Sequence, residues 1–278
     1  MPLEFRFGTV GSPSTTPKKP GGSVGAITQI KALELDALEL GWVQSVRVSP
    51  ETCAAIRNIS IKEDVAISVH APYFINLNAS EEEWPKSRKR LMDAAYYGNL
   101  AGATDIVFHP GSYFGQTAEI VLEKAIPRLN NCVEELHSAH NSVILRPETM
   151  GKNAMLGSLE DTLIMSREIN GILPCLDFAH LHARAGNGSI NTTVEFLNIL
   201  NIYAQFLGEN TLQNLHIHLS GIEYSIKGER NHLPIRESDI NIPALFTSLH
   251  QMNCSGRLLC ESPILEEDAL YLKDLWQK

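Results

Sequence analysis

Short apolar runs of strand length alternate with longer stretches whose apolar residues recur at helical spacing along nearly the whole chain. The strand candidates are residues 4–8, 36–41, 65–70, 105–109, 143–148, 173–177, 215–219 and 258–261, eight in all. Between them, residues 24–33, 81–101, 117–138, 158–170, 191–207 and 243–251 carry apolar side chains three and four apart, the stripe of a helix that packs on one face. Eight strands separated by helices predict a parallel sheet closed on itself with right-handed crossovers. The expected class is therefore α/β, a single (β/α)8 TIM barrel covering residues 1–278 with its site at the C-terminal ends of the strands. One segment, residues 11–22, is rich in Ser, Thr, Pro, Lys and Gly, lacks both periods and reads as a long loop after the first strand.

Composition narrows the class. A chain of 278 residues has the size of one such barrel, so one domain is expected. A monomer is the separate expectation for its assembly. No apolar run approaches the roughly 20 residues of a membrane helix, and residues 1–11 lack the basic and apolar segments of a secretory leader, which implies a cytoplasmic protein with no membrane partner. The five cysteines, Cys53, Cys132, Cys175, Cys254 and Cys260, are odd in number and form no CxxC pair. They read as buried thiols, not as a disulfide framework or a zinc knuckle. With 23 basic against 32 acidic residues the formal charge is −9, which opposes DNA binding through a basic face unless bound cations reverse the balance locally.

The strand ends carry the candidate chemistry. From the third strand onward each finishes on or beside a metal-ligand type: His70, His109, Glu148, Asp177, His218 and Glu261. In a closed barrel these ends meet at one rim, so the donors converge. His180, three residues after Asp177, and the pair Glu229 and His232 add donors just beyond the strands. Imidazole and carboxylate without cysteine suit Zn, Mn or Fe in an open, water-accessible cluster. His216 alternates in phase with His218, and His182 lies two residues after His180; both read as rings packed behind the ligands. His137, His140 and His250 lie on helix-like stretches and read as surface residues. Glu81-Glu82-Glu83 reads as the solvated start of a helix, and Lys86-Ser87-Arg88-Lys89-Arg90 as its exposed continuation.

Seven stretches together resemble the endonuclease IV family of apurinic/apyrimidinic endonucleases. They are His70-Ala71-Pro72-Tyr73 with Ile75-Asn76-Leu77, Phe108-His109-Pro110-Gly111-Ser112, Pro147-Glu148-Thr149-Met150-Gly151, Cys175-Leu176-Asp177-Phe178-Ala179-His180, His218-Leu219, Glu229-Arg230-Asn231-His232 and Glu261-Ser262-Pro263. Their order and spacing are similar to the family's from about residue 26 to the C-terminus. The resemblance implies three zinc ions. His70, His109 and Glu148 would hold the first, and Glu148, the catalytic carboxylate, would bridge to a second bound by Asp177, His218 and Glu261. The third would take His180, Glu229 and either Asn231 or His232. Of these His232 is preferred, because an amide oxygen is a poor zinc ligand beside imidazole and a loop without regular period could turn to present the ring.

The activity this implies is in-line hydrolysis of DNA on the 5′ side of an abasic site in base excision repair, with Tyr73 filling the space left by the missing base. The sequence also departs from the family. The loop after the second strand, residues 42–49, carries Arg47 as its only charge, Ser220-Gly221 replaces Asn-Asp after His218, and Glu229-x-Asn231 replaces Asp-x-His. Two other classes share parts of this pattern. A sugar isomerase or epimerase of the xylose-isomerase-like barrels would need one or two metals and a small closed pocket. A non-catalytic barrel that binds damaged DNA or a partner would be expected to lose ligands, and this sequence retains the core set.

Overall fold

The parallel strands are short because each crosses the barrel once and then hands over to a helix. In the computed structural model, which describes residues 4–278, they are β1 (Phe5–Val10), β2 (Ala37–Gly41), β3 (Ala66–His70), β4 (Asp105–Phe108), β5 (Ile144–Pro147), β6 (Cys175–Asp177), β7 (Leu215–Leu219) and, at the end of the chain, β10 (Gly256–Cys260). Residues 1–3, the first part of the stretch read as carrying no leader, lie outside the described residues. The strands hydrogen-bond in the order β5-β4-β3-β2-β1-β10-β7-β6, every pair parallel. Between β5 and β6 the ladder shrinks to the bridges Leu145↔Ile172 and Glu148↔Cys175, with Thr149 N donating to Cys175 O at 3.0 Å. The barrel is thus nearly closed, as the alternation of periods predicts.

The outer layer consists of α1 (Gly22–Ala32), α2 (Pro50–Glu63), α3 (Trp84–Leu100), α4 (Ala118–Ser138), α5 (Leu159–Glu168), α6 (Phe178–Arg184), α7 (Thr193–Leu207), α8 (Ile242–Gln251) and α9 (Glu266–Trp276). Local chemistry fixes several starts. Ser158 and Asp161 form a reciprocal capping box on α5, and Thr192 and Glu195 do the same on α7, each satisfying backbone donors that a helix start leaves open. The helix expected from residue 81 starts instead at Trp84; Glu81–Glu83 form the turn before it, and Ser87, expected to be exposed, is buried and its Oγ accepts from Asn76 N at 3.2 Å. The loop after β1 is tied down, because the backbone and hydroxyl groups of Ser14 and Thr15 donate to the Glu266 carboxylate at the start of α9 at 2.7 to 3.0 Å. All five cysteines are buried and free, as their number implied.

Apolar residues fill the space between sheet and helices, whereas the barrel interior is a polar column. At the N-terminal end Asp105 meets Arg146 Nε at 2.6 Å and Arg257 Nη1 at 3.1 Å. One layer higher stand Glu39, Ser68 and His216, and the predicted donors crown the C-terminal rim. One element has no counterpart in the sequence reading: an antiparallel hairpin of β8 (Gly221–Ser225) and β9 (Gly228–Leu233) that follows β7 directly.

Candidate metal centre

Glu148 follows β5, has no solvent exposure and sits among four imidazoles. Its Oε2 lies 3.3 Å from His70 Nε2 and 3.2 Å from His109 Nε2, and its Oε1 lies 3.4 Å from both His180 Nδ1 and His218 Nδ1. Burial works against the charge, yet hydrogen bonds from His109, His180, His218 and His70 outweigh it and hold the carboxyl well below the usual carboxylate range. Conversely, burial would strip the proton from His70, and Glu148 overrides it, raising that imidazole to about 9. In the metal-free protein the cluster is therefore loaded with protons that a cation has to displace.

Three donor groups surround this carboxylate. His70, His109 and Glu148 form one, Glu148, Asp177, His218 and Glu261 a second, and Asp177, His180 and His232 a third, with the ligand atoms inside each group within 4.8 Å of one another. Glu229 Oε2 joins the third at 3.6 Å from His180 Nε2. The rings are oriented for this. His70 and His180 direct Nδ1 at the carbonyls of Ala71 (2.9 Å) and Thr149 (3.0 Å), and His232 directs Nδ1 at Glu261 O (3.2 Å), so all three present Nε2 inward.

The donor set fits divalent ions. Asp177 caps α6 through Oδ1, which accepts from His180 N at 2.7 Å, but its buried Oδ2 receives no hydrogen bond. Burial, aided by Glu148 and Glu261 against the pull of His180, pushes this carboxyl up to about 6, the signature of negative charge crowded without a counter-ion. The Nε2 atoms of His180 and His232 also face each other at 3.2 Å, an arrangement that two lone pairs tolerate only with a proton or cation between them. A further group of Cys175, His216 and His218 lies beneath; burial raises the Cys175 thiol far above its ordinary range, so it offers no thiolate.

The hairpin decides which residue faces His180. Residues 229 to 232 were expected in an irregular loop, but they belong to β9, and regular alternation there would put Glu229 and Asn231 on one face. Instead Tyr224 pairs with Glu229 and Glu223 with Asn231, so Arg230 is an extra residue in β9. That bulge flips the parity, turning Glu229 and His232 toward the centre. Arg230 and Asn231 both point outward and donate to Glu223, at 2.9 Å each. Two small residues seat the hairpin: a Cβ on Gly151 would stand 2.7 Å from Glu229 Cβ, and one on Gly221 would stand 2.4 Å from Pro234 O. Gly221 therefore lets the chain pass close to the Pro234 carbonyl at the base of the hairpin.

The remaining predicted residues fall around this cluster. Tyr73 is half exposed at the mouth, its ring 5.1 Å from that of His109 and 5.5 Å from that of His70, and its N donates to Val43 O in the loop after β2. His182 packs behind, with Nδ1 on Ser189 O (2.8 Å) and Nε2 on Asp239 Oδ1 (3.1 Å). His250 stacks on Trp276 at 3.7 Å, far from any donor group. Glu39 escaped the sequence reading; its signal was a lone acid within the apolar strand Ala37–Gly41.

The profile of the family described as xylose isomerase-like TIM barrel matches residues 27–275. The chain belongs to the xylose isomerase-like TIM-barrel family. Within it, this barrel is 38% identical over 267 residues to an uncharacterised protein of Methanocaldococcus jannaschii, which covers 96% of this chain and 94% of the other. It is 27% identical over 215 residues to a probable endonuclease 4 of Oceanobacillus iheyensis, covering 73% and 68%. Among solved structures, endonuclease IV from Thermus thermophilus superimposes with a TM-score of 0.72 at 21% identity, covering 98% and 97%. A D-tagatose 3-epimerase-like protein gives 0.69 at 19%, covering 97% and 96%. These two share the xylose isomerase-like fold, so fold alone does not separate nuclease from epimerase. Among the described residues no helix is long and apolar enough to cross a membrane.

Proposed function

We propose that the protein is a zinc-dependent apurinic/apyrimidinic endonuclease that cuts DNA on the 5′ side of an abasic site, acting as a cytoplasmic monomer in base excision repair. The observation that carries this reading is the surplus of donors. Glu148, Asp177, His218 and Glu261 already make a complete site for one ion, and an epimerase needs one or two. His70 and His109 on one side, and His180, Glu229 and His232 on the other, have no part in that site and make sense as holders of two more ions. The same donors would also accept Mn or Fe.

Divalent ions bound there supply Lewis acidity, polarising phosphoryl oxygens and making hydroxide available near neutral pH. The protein does the rest. Glu148 fixes the spacing of the neighbouring sets because both its oxygens are committed to imidazoles. Four carboxylates facing three dications leave the pocket net positive inside an acidic protein, which draws a phosphodiester inward. Tyr73, backed by His70 and His109, offers a ring face where a base is missing. The zinc-loaded protein is expected to nick duplex DNA at an abasic site, leaving a 3′-hydroxyl, with binding that weakens as salt rises. Turnover of a ketose or aldose without incision would establish the epimerase reading instead.

The hairpin yields a narrower expectation. His232→Ala should remove about one equivalent of bound metal and slow incision on the order of 100-fold, because a ligand is lost, whereas Asn231→Ala, outside the cluster, should change neither. Metal analysis of the two variants checks this; a silent His232 with a sensitive Asn231 would reverse the assignment.

A further inference from the structure

Every histidine whose free nitrogen partner is resolved at the rim parks it on a backbone carbonyl, with one exception. His218 turns Nδ1 toward Glu148 Oε1 (3.4 Å) and Glu261 Oε1 (3.3 Å), and its Nε2 points the other way, 3.1 Å from Glu39 Oε1. Glu39 lies in the middle of β2, opposite Ser68 of β3, and has no solvent exposure. Its other oxygen, Oε2, is held from two sides, by Ser68 Oγ at 2.7 Å and His216 Nε2 at 2.9 Å. Oε1 has no hydrogen-bond partner among the described residues, and His218 Nε2 lies close to it at 3.1 Å without forming an aligned hydrogen bond.

We propose that Glu39 is a positioning residue for the metal centre: it holds the His218 proton on Nε2, so that Nδ1 is the ligating atom for the ion shared by Glu148, Asp177 and Glu261. Ser68 and His216 act on Glu39 and not on the metal. A carboxylate in this role both selects the tautomer and makes the ring a stronger donor, which a backbone carbonyl does less well. The two in-phase histidines of β7 thus divide the work, with His216 fixing the carboxylate and His218 receiving its effect. The inference rests on the proposed metal centre, and it concerns affinity and tautomer, so it holds whichever reaction the centre performs.

The test uses the full chain, with zinc titrated against a chelator and imidazole nitrogens followed by 15N NMR. Glu39→Gln keeps the size of the side chain but lets its amide donate to Nε2, which favours a proton on Nδ1, where the ion belongs. One of the stepwise zinc affinities is expected to fall about 10- to 100-fold, and the zinc-loaded variant to lose the arrangement in which His218 keeps its proton on Nε2 and ligates through Nδ1. A variant that melts earlier yet keeps its zinc affinities and tautomer would assign Glu39 a packing role and overturn the proposal. The zinc-loaded wild type gives an independent check should Glu39→Gln not fold: His218 is expected to carry its proton on Nε2, and ligation through Nε2 would overturn the proposal. A wild type that binds no zinc would overturn this inference and the proposed function together, whereas unchanged affinities in the variant would remove this inference alone.

Discussion

Glu148→Gln is expected to cost the protein at least one metal ion and about a thousandfold in hydrolysis rate, a loss of roughly 4 kcal/mol in transition-state stabilisation. The substitution preserves volume at a site with no exposure, so packing is not what changes. What changes is one negative charge and one acceptor oxygen at the position where four imidazoles meet. An amide cannot accept from both sides, and its donor end would face His70 and His109 or His180 and His218. Elemental analysis after zinc saturation, with incision kinetics on the same sample and a melting curve as folding control, checks the expectation. Unchanged stoichiometry with an unchanged rate would mean that Glu148 joins no two ions.

Arg146→Met should destabilise the fold by about 3 kcal/mol, more than a hundredfold in the folding equilibrium, with little effect on the metal centre. Arg146 is almost fully buried and contacts Asp105 Oδ1 at 2.6 Å, Pro174 O at 3.2 Å and Asn214 O at 3.1 Å, so it knits the N-terminal ends of the strands. Methionine fills much of the space but leaves Asp105 with Arg257 as its remaining cation. Burial disfavours the Asp105 charge, and Arg146 and Arg257 override it, holding the carboxyl below its ordinary 3.8. A depressed carboxylate contributes stability that is complete above the ordinary value and lost as pH falls below it. The difference between wild type and Arg146→Met in urea unfolding should therefore shrink from pH 7 toward pH 3. A difference independent of pH would assign the effect to packing.

The strands and their terminal donors were legible because a TIM barrel imposes one rule on every βα unit: apolar residues face the helices and the functional side chain stands at the C-terminal end. His70, His109, Glu148, Asp177, His218 and Glu261 all obey it. The β8–β9 hairpin obeys no such rule. Its register depends on a single bulge at Arg230, so alternation read along the sequence turns Asn231, and not His232, toward His180. The preference for His232 rested on ligand chemistry in an irregular loop; the structure gives a strand and a bulge as the reason that ring turns inward. Glu39 was illegible for a different reason. A lone acid in an apolar strand looks like a flaw in the pattern until Ser68, His216 and His218, distant in sequence, are seen converging on it.

The number of ions the rim can hold separates the two reactions, and the most direct measurement is the metal content of the full chain after saturation with zinc and removal of excess. Three donor sets predict about three equivalents per chain, with the loss of one in His232→Ala. A single equivalent, retained in His232→Ala and bound by Glu148, Asp177, His218 and Glu261 alone, would contradict the trinuclear centre and the nuclease reading built on it.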